Sequence, residues 1–272
     1  MGTSNIDTAF TNSVAQLYES QLVPLIFEPY ALDMARRVAT AGPQRVLEIA
    51  AGTGVVTRHL AVMLDSASEI VATDLNTAML DEAARIGTAR PVEWRQADAM
   101  QLPFENDTFD AVCCQFGVMF FPDKTNAFAE ARRVLRPGGV FVFSAWDTIE
   151  TSEFAAAVTA GCATVFPQDP PRFLARTPHG YTDPQRIVQD LAAAGFTTPP
   201  AIEKIAFTSR AVSARIPAVA YCHGTPLRGE IEARDPAGLE RATQAAHEEV
   251  ARRFGEGPIE GLIQALMVTA AR

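Results

Sequence analysis

From residue 44 onward, short apolar runs alternate with stretches whose apolar positions recur at helical spacing. Residues 45–50 (RVLEIA) form an apolar run ending in a Gly-rich turn, which predicts a first strand. Val56, Leu60, Met63 and Leu64 mark one face of a helix over 55–64. Residues 69–73 (EIVAT) read as a second strand. Asn76 is a good N-cap for a helix over 77–86, and Gly87 a good residue just past its end. Residues 92–96 and 109–115 (FDAVCCQ) are strands three and four. Asp123 caps a helix over 124–135 that stops at Pro137-Gly138-Gly139, and 140–146 (VFVFSAW) is a fifth strand. Strands that are apolar on both faces and separated by helices indicate a parallel sheet covered on each side, and right-handed crossovers make it doubly wound.

After Trp146 the alternation loosens. Residues 151–181 are helical but interrupted by prolines, and 183–195 form an amphipathic helix with Ile187, Val188 and Leu191 on one side. Residues 201–208 predict a strand. Residues 211–258 contain a short helix, a turn around Gly224-Thr225-Pro226 and a helix over 237–254, and 262–271 predict a final strand. With no internal repeat or long linker, the chain reads as one domain over 1–272. Its core is 44–146, and 151–181 and 211–258 are additions placed to cover an active site.

Composition narrows the function. A chain of 272 residues that is 48% hydrophobic and 20% charged buries a full core without staples. The net charge of −9 repels phosphate backbones, so no nucleic-acid partner is expected. No apolar run reaches the ~20 residues that span a bilayer, and Met1 to Phe10 is polar with no signal-peptide pattern, so the expected location is cytoplasmic. Cys113, Cys114, Cys162 and Cys222 form no C-x-x-C pair and read as buried, reduced thiols.

The chemistry gathers at strand ends. Gly52 and Gly54 lie in the turn between strand one and its helix, where glycine permits a tight turn and close approach of a ligand. Asp74 ends strand two, ~20 residues past that turn, where a carboxylate accepts from ribose hydroxyls. Asp98 follows strand three, so Glu48, Asp74 and Asp98 reach one edge of the sheet. A dinucleotide fingerprint would carry a third glycine where Thr57 stands, which points away from a nicotinamide cofactor.

The stretch Glu48-Ile-Ala-Ala-Gly-Thr-Gly54, Asp74, Gln96-Ala-Asp98-Ala99, Leu102-Pro103-Phe104, Phe109-Asp110 and Leu135-Arg-Pro-Gly-Gly139 resembles the class I S-adenosylmethionine-dependent methyltransferases in order and spacing. It is most similar to the small-molecule branch that includes the ubiquinone and menaquinone biosynthesis methyltransferases. The motifs cover 46–146, and residues 22–37 also resemble the N-terminal helices of that branch. The resemblance implies an α/β, Rossmann-like doubly wound sheet of seven strands, mostly parallel with the last strand antiparallel, plus helical lids.

It also implies roles. The loop of Ala50, Gly52, Thr53 and Gly54 would line the methionine part of S-adenosyl-L-methionine, with Glu48 near its ammonium. Asp74 would hold the ribose, Leu75 and Met79 the adenine face, and Asp98 and Ala99 the adenine edge. Gln115 and Phe116 would sit beside the sulfonium. Ala50 stands where the family usually has its first loop glycine, and the loop is expected to accommodate it at negative φ with tighter packing.

After strand four the chain has Cys114-Gln115-Phe116-Gly117-Val118, not the Asn/Asp-Pro-Pro-Tyr/Phe tetrapeptide of enzymes that methylate nucleic-acid amino groups. With the acidic charge, this favours a small, hydrophobic or aromatic acceptor methylated on O, N or C. No grouping has metal-ligand spacing, so no metal is expected. Tyr18, Phe116, Met119 and Phe120 are the candidate acceptor-pocket residues. Phe121 reads as packing, and Tyr30 as either a lid or a surface residue. Among the histidines, His59 reads as structural and His247 as part of a solvated face, leaving His179 and His223 as candidate bases. Two alternatives stand beside this reading: a methyltransferase-like protein that binds the cofactor without transferring methyl, and a nicotinamide dehydrogenase.

Overall fold

A computed structural model describes residues 12–272; the polar segment from Met1 to Phe10 lies outside the described residues. In chain order, α1 (Asn12–Leu17), a π-helical segment (Tyr18–Phe27) and α2 (Glu28–Thr40) precede β1 (Arg45–Ile49). Then follow α3 (Val55–Met63), β2 (Glu69–Asp74), α4 (Thr77–Ile86), β3 (Glu93–Gln96), β4 (Phe109–Gln115), α5 (Lys124–Val134) and β5 (Leu135–Trp146). The second half contains α6 (Glu153–Val165), α7 (Phe173–Arg176), α8 (Pro184–Ala193) and β6 (Ala201–Ala211). It closes with α9 (Arg215–Gly224), α10 (Leu227–Arg234), α11 (Leu239–Phe254) and β7 (Ile259–Ala271).

The seven strands form one sheet in the order β3-β2-β1-β4-β5-β7-β6. Strands β1 to β5 pair in parallel, and β7 runs antiparallel between β5 and β6. The strand order reverses between β1 and β4, which is where an open α/β sheet leaves a crevice at the carboxyl ends of its strands. Strands β1 and β4 are buried almost throughout, as their continuous apolar sequence requires.

Local chemistry fixes the helix starts. The Asn76 side chain accepts from the Ala78 N–H at 2.9 Å, the Asp123 side chain from Asn126, and the Asp183 side chain from Gln185. Each cap satisfies a donor that the first helical turn leaves unpaired.

Several elements depart from the sequence pattern. Helix α5 ends at Val134, but the chain becomes extended at once, because Leu135 already pairs with Phe109 across a bulge in β4–β5. Strand β6 runs on to Ala211, since its pairing with β7 continues to Ile259. The charged stretch Leu227–Arg234 is helical, anchored by buried Leu227 and Ile231. The N-terminal segment is π-helical around Pro24, whose missing N–H suits a wider hydrogen-bond register, and it buries Leu22, Val23, Leu25, Ile26 and Phe27.

All four cysteines are free and buried. Cys162 and Cys222, with sulfurs 3.7 Å apart, pack α6 against α9.

Candidate active site

A cavity of about 390 Å³ opens at the carboxyl ends of β1, β2, β4 and β5. That size suits a small organic ligand. One end is built by the loop after β1. The Ala51 N–H donates to the Thr73 carbonyl and the Gly54 N–H to the Ala51 carbonyl, which folds the turn tightly against β2. Gly52 and Gly54 have φ of +57° and +82°, a region that glycine enters without penalty.

Ala50 also lies in the left-handed region, at φ +54°, contrary to the expected negative φ. The turn imposes this geometry, and alanine meets it at a cost of about 1–2 kcal/mol. A close neighbour follows from it: a Cβ at Gly117 would lie 2.6 Å from the Ala50 Cβ and 2.7 Å from the Cys114 sulfur.

Asp74 staples this end. Its carboxylate accepts from the Gly52 and Asn76 N–H groups, each at 2.8 Å, and lines the cavity. Burial raises its pKa, and the backbone donors oppose that rise. Asp98 also lines the cavity, its carboxylate accepting from the Met100 N–H at 2.8 Å. Leu75, Met79 and Ala99 supply apolar walls beside these acids. Gln115, at the end of β4, donates weakly to the Phe27 carbonyl at 3.4 Å. Its Oε1 is buried with no hydrogen-bond partner among the described residues.

The other end is aromatic. The Trp146 ring stacks on Phe116 with centroids 3.8 Å apart and 5° between planes. Phe27 packs against both, and Tyr18 stacks on Phe27 at 4.9 Å and reaches back to Gly52, where the two ends meet. Phe116 holds φ +52°, a strained value for a bulky residue, where it leaves β4. Both covering segments contribute: Ser152, Phe173, Leu174, Pro178 and His179 from one, Tyr221, Thr225 and Pro226 from the other. No lysine or arginine stands among the described lining residues.

The predicted residues divide. Ala50, Gly52, Asp74, Leu75, Met79, Asp98, Ala99, Gln115, Tyr18, Phe116, Phe120 and His179 all line the cavity. Glu48, Thr53, Gly54, Met119 and His223 do not.

Glu48 is turned inward, where its carboxylate accepts from the Thr57 hydroxyl at 2.5 Å. Burial pushes its pKa up to about 8, against the pull of Thr57 and the Arg58 guanidinium. Thr53 is buried. Gly54 is required by packing, since a Cβ there would come within 2.8 Å of the Trp94 ring. Met119 is buried under the turn, and its carbonyl accepts from Lys124. His223 lies 2.9 Å from the Thr243 hydroxyl, which ties α9 to α11.

Phe121, expected as packing alone, also lines the cavity. Tyr30 is fully buried and donates to the Ile205 and Ile263 carbonyls, so it fastens α2 to β6 and β7. His59 pairs with Glu28, and His247 with Glu256. Trp146 was missed, although its place at the end of an apolar strand was the signal that could have found it. Phe27 and Phe173 carry no comparable mark in the sequence.

His179 is tethered through Nδ1, 2.6 Å from the Asp147 carbonyl oxygen. Burial lowers its pKa, outweighing the Asp147 carbonyl and the carboxylates of Glu150 and Asp147. The imidazole is therefore neutral near pH 7, and able to take a proton.

One end of the cavity thus offers carboxylate acceptors and an apolar slot, the pattern that holds a nucleoside, without the basic groups that phosphates require. A methyltransferase-domain family profile matches residues 47–143. The demethylmenaquinone methyltransferase of Deinococcus radiodurans is 33% identical over 60% of this chain and 74% of its own length. The ubiquinone/menaquinone biosynthesis C-methyltransferase of Stutzerimonas stutzeri is 32% identical over 56% of this chain, and the match spans 64% of that enzyme. Among solved structures, phosphoethanolamine N-methyltransferase 2 of Haemonchus contortus, in complex with S-adenosylhomocysteine, shares the fold. Its TM-score is 0.60 at 17% identity, covering 99% of this chain and 60% of that one.

Proposed function

The chain belongs to the class I S-adenosylmethionine-dependent methyltransferases, and we propose that it methylates a neutral, flat, hydroxyl-bearing aromatic molecule, with His179 as the general base. The observation that carries this reading is the split of one cavity into a carboxylate-lined end and a charge-free aromatic end that holds His179. The quinone-directed names of the two relatives fit the same acceptor class.

The residues present fit the cofactor. Asp74 takes the ribose hydroxyls, Leu75 and Met79 the adenine faces, and Asp98 with the Ala99 backbone the adenine edge. The unpartnered Oε1 of Gln115 is an acceptor for the cationic part of the same molecule. Glu48 is expected to act on the loop through Thr57 and not on the ammonium directly. S-adenosylmethionine, when bound, supplies an electrophilic methyl group on a sulfonium that leaves as a neutral thioether.

The chain's own contribution is position and proton transfer. Phe116, Trp146 and Phe27 hold a flat ring by stacking and exclude water from it. Orientation of this kind accounts for ~7–11 kcal/mol of a bimolecular barrier. His179 Nε2 takes the proton of the acceptor hydroxyl. The resulting phenolate is nucleophilic at oxygen and at the adjacent ring carbon, and if carbon attacks, the ring then loses its own proton. A positioned base of this kind contributes ~10²–10⁴-fold.

The test is a screen with methyl-labelled S-adenosylmethionine. Neutral phenols and hydroquinones are compared with aryl carboxylates and phosphate esters of similar size. Labelled product from the neutral set alone is the expected result, and preference for the anionic set would refute it. Binding of the methyl donor with no transfer to any acceptor would favour the non-transferring alternative.

A further inference from the structure

Asp147 lies just past β5 and is held from every side. Its N–H donates to the Gln264 carbonyl at 3.1 Å, which ties the end of β5 to β7. One carboxylate oxygen accepts from Lys204 Nζ on β6 and from the Gln264 side chain on β7, each at 2.7 Å. The other accepts from the Thr148 N–H at 2.8 Å. The carboxylate is 3% exposed. Burial alone would raise its pKa, but the donors from Lys204, Gln264 and Thr148 outweigh it and hold the group below the usual range. A buried carboxylate with three donors is a fixed point in the fold.

The same residue's backbone carbonyl meets His179 Nδ1 at 2.6 Å. A carbonyl oxygen can only accept, so Nδ1 must carry the hydrogen. In the neutral ring Nε2 then holds the lone pair. His179 lines the cavity, and no described residue bonds to Nε2.

We propose that Asp147, clamped by Lys204 and Gln264, is a positioning residue that fixes the tautomer of His179 and leaves Nε2 as the proton acceptor at the aromatic end of the cavity. The inference rests on the reading of His179 as base, and it gives the antiparallel β6–β7 end of the sheet a role in the chemistry. Without the clamp, the Asp147 peptide is free to tilt, and the ring is free to place its hydrogen on either nitrogen. The Nε2–H form cannot take a proton at that atom. Turnover should fall with the fraction of rings in the wrong tautomer, while the affinity for the methyl donor stays constant, because none of Asp147, Lys204 and Gln264 lines the cavity.

The experiment uses the full chain labelled with 15N and 13C at histidine, with His179 assigned by the signal missing from His179→Gln. Nuclear magnetic resonance at neutral pH reads the tautomer directly and requires no acceptor. The wild type should show the Nδ1–H form. Lys204→Met and Gln264→Leu should each show a mixture, and Lys204→Arg should restore the single form. Asp147→Asn, which keeps an acceptor for Lys204, should lie between.

In the methyl-transfer assay, kcat of the two damaging variants should fall by the same factor as the Nδ1–H fraction read in the spectrum, less than loss of the base itself, with KM for both substrates unchanged. A wild-type Nε2–H tautomer, or a spectrum unmoved in all folded variants, overturns the proposal. If the tautomer shifts as expected and kcat does not change, positioning by Asp147 stands and the assignment of His179 as base fails.

Discussion

At the end of the cavity formed by β1 to β3, the walls are peptide groups tied by charged oxygens; at the end formed by Trp146 and the late helices, they are stacked rings. Asp74 reaches Asn76, the next residue but one, and Gly52 in the turn of the neighbouring strand β1, through two 2.8 Å bonds. Phe27, Phe116 and Trp146 come from the N-terminal segment, β4 and β5, and touch only in the folded protein. Hydrogen bonds are directional and specify one ligand geometry, whereas stacking is tolerant of outline. The polar end is therefore suited to an invariant donor, and the aromatic end can be reshaped for different acceptors without disturbing it.

The sharpest way to break this comparison is Trp146→Ala. The ring is 4% exposed and stacked, so its loss should cost about 3–5 kcal/mol of stability by urea denaturation. Acceptor turnover should collapse while calorimetric affinity for S-adenosylmethionine changes little. Equal damage to both ligands would show that the ends are one unit.

Glu48→Gln probes the polar end through pH. The Glu48 pKa is raised in the fold to about 8, so between about pH 4.5 and pH 8 the native state binds more protons than the unfolded chain. Its contribution to stability is full below pH 4.5 and is lost as pH rises through 8. Glutamine keeps an acceptor for Thr57 and has no proton to lose. The variant should therefore gain on the wild type as pH rises across that window, by an amount on the order of a few kcal/mol. Parallel stability curves for the two proteins would show that Glu48 is ionised in the fold.

The smallest expected effect is Asp74→Ala, which should weaken the methyl donor by ~1.5–3 kcal/mol in calorimetry. Because Asp74 also ties Gly52 to Asn76, some melting-temperature loss should accompany it. Unchanged affinity in the folded variant would remove this carboxylate from the cofactor site.

Legibility in the sequence follows the same divide. The parallel strands and the Asn76 and Asp123 caps are written locally, in periodicity and spacing of a few residues, and the acids Asp74 and Asp98 in their places at the strand ends. The sequence shows which side chains sit at a strand end, but not their direction. Glu48 ends up facing inward toward Thr57, and Gly54 serves Trp94. The left-handed φ of Ala50 and Phe116 is imposed by neighbours and has no signature in an alanine or a phenylalanine. Both histidines proposed as bases lie in covering segments that look alike in the sequence. Only tertiary placement separates His179, on the cavity wall, from His223, bonded to Thr243.

Gly117 carries a consequence for how this chain can change over generations. Its missing side chain is the space that the methyl of Ala50 and the sulfur of Cys114 occupy. Any route to a larger residue at 117 must first pass through glycine at 50 and a smaller residue at 114, since the reverse order begins with a collision. Of those steps, Ala50→Gly is open from the present sequence, because it also relieves a left-handed alanine. Variation at the junction of the two ends is thus ordered in time: positions 50 and 114 must yield before 117 can, and a lineage that has not taken those steps is confined to its present outline there.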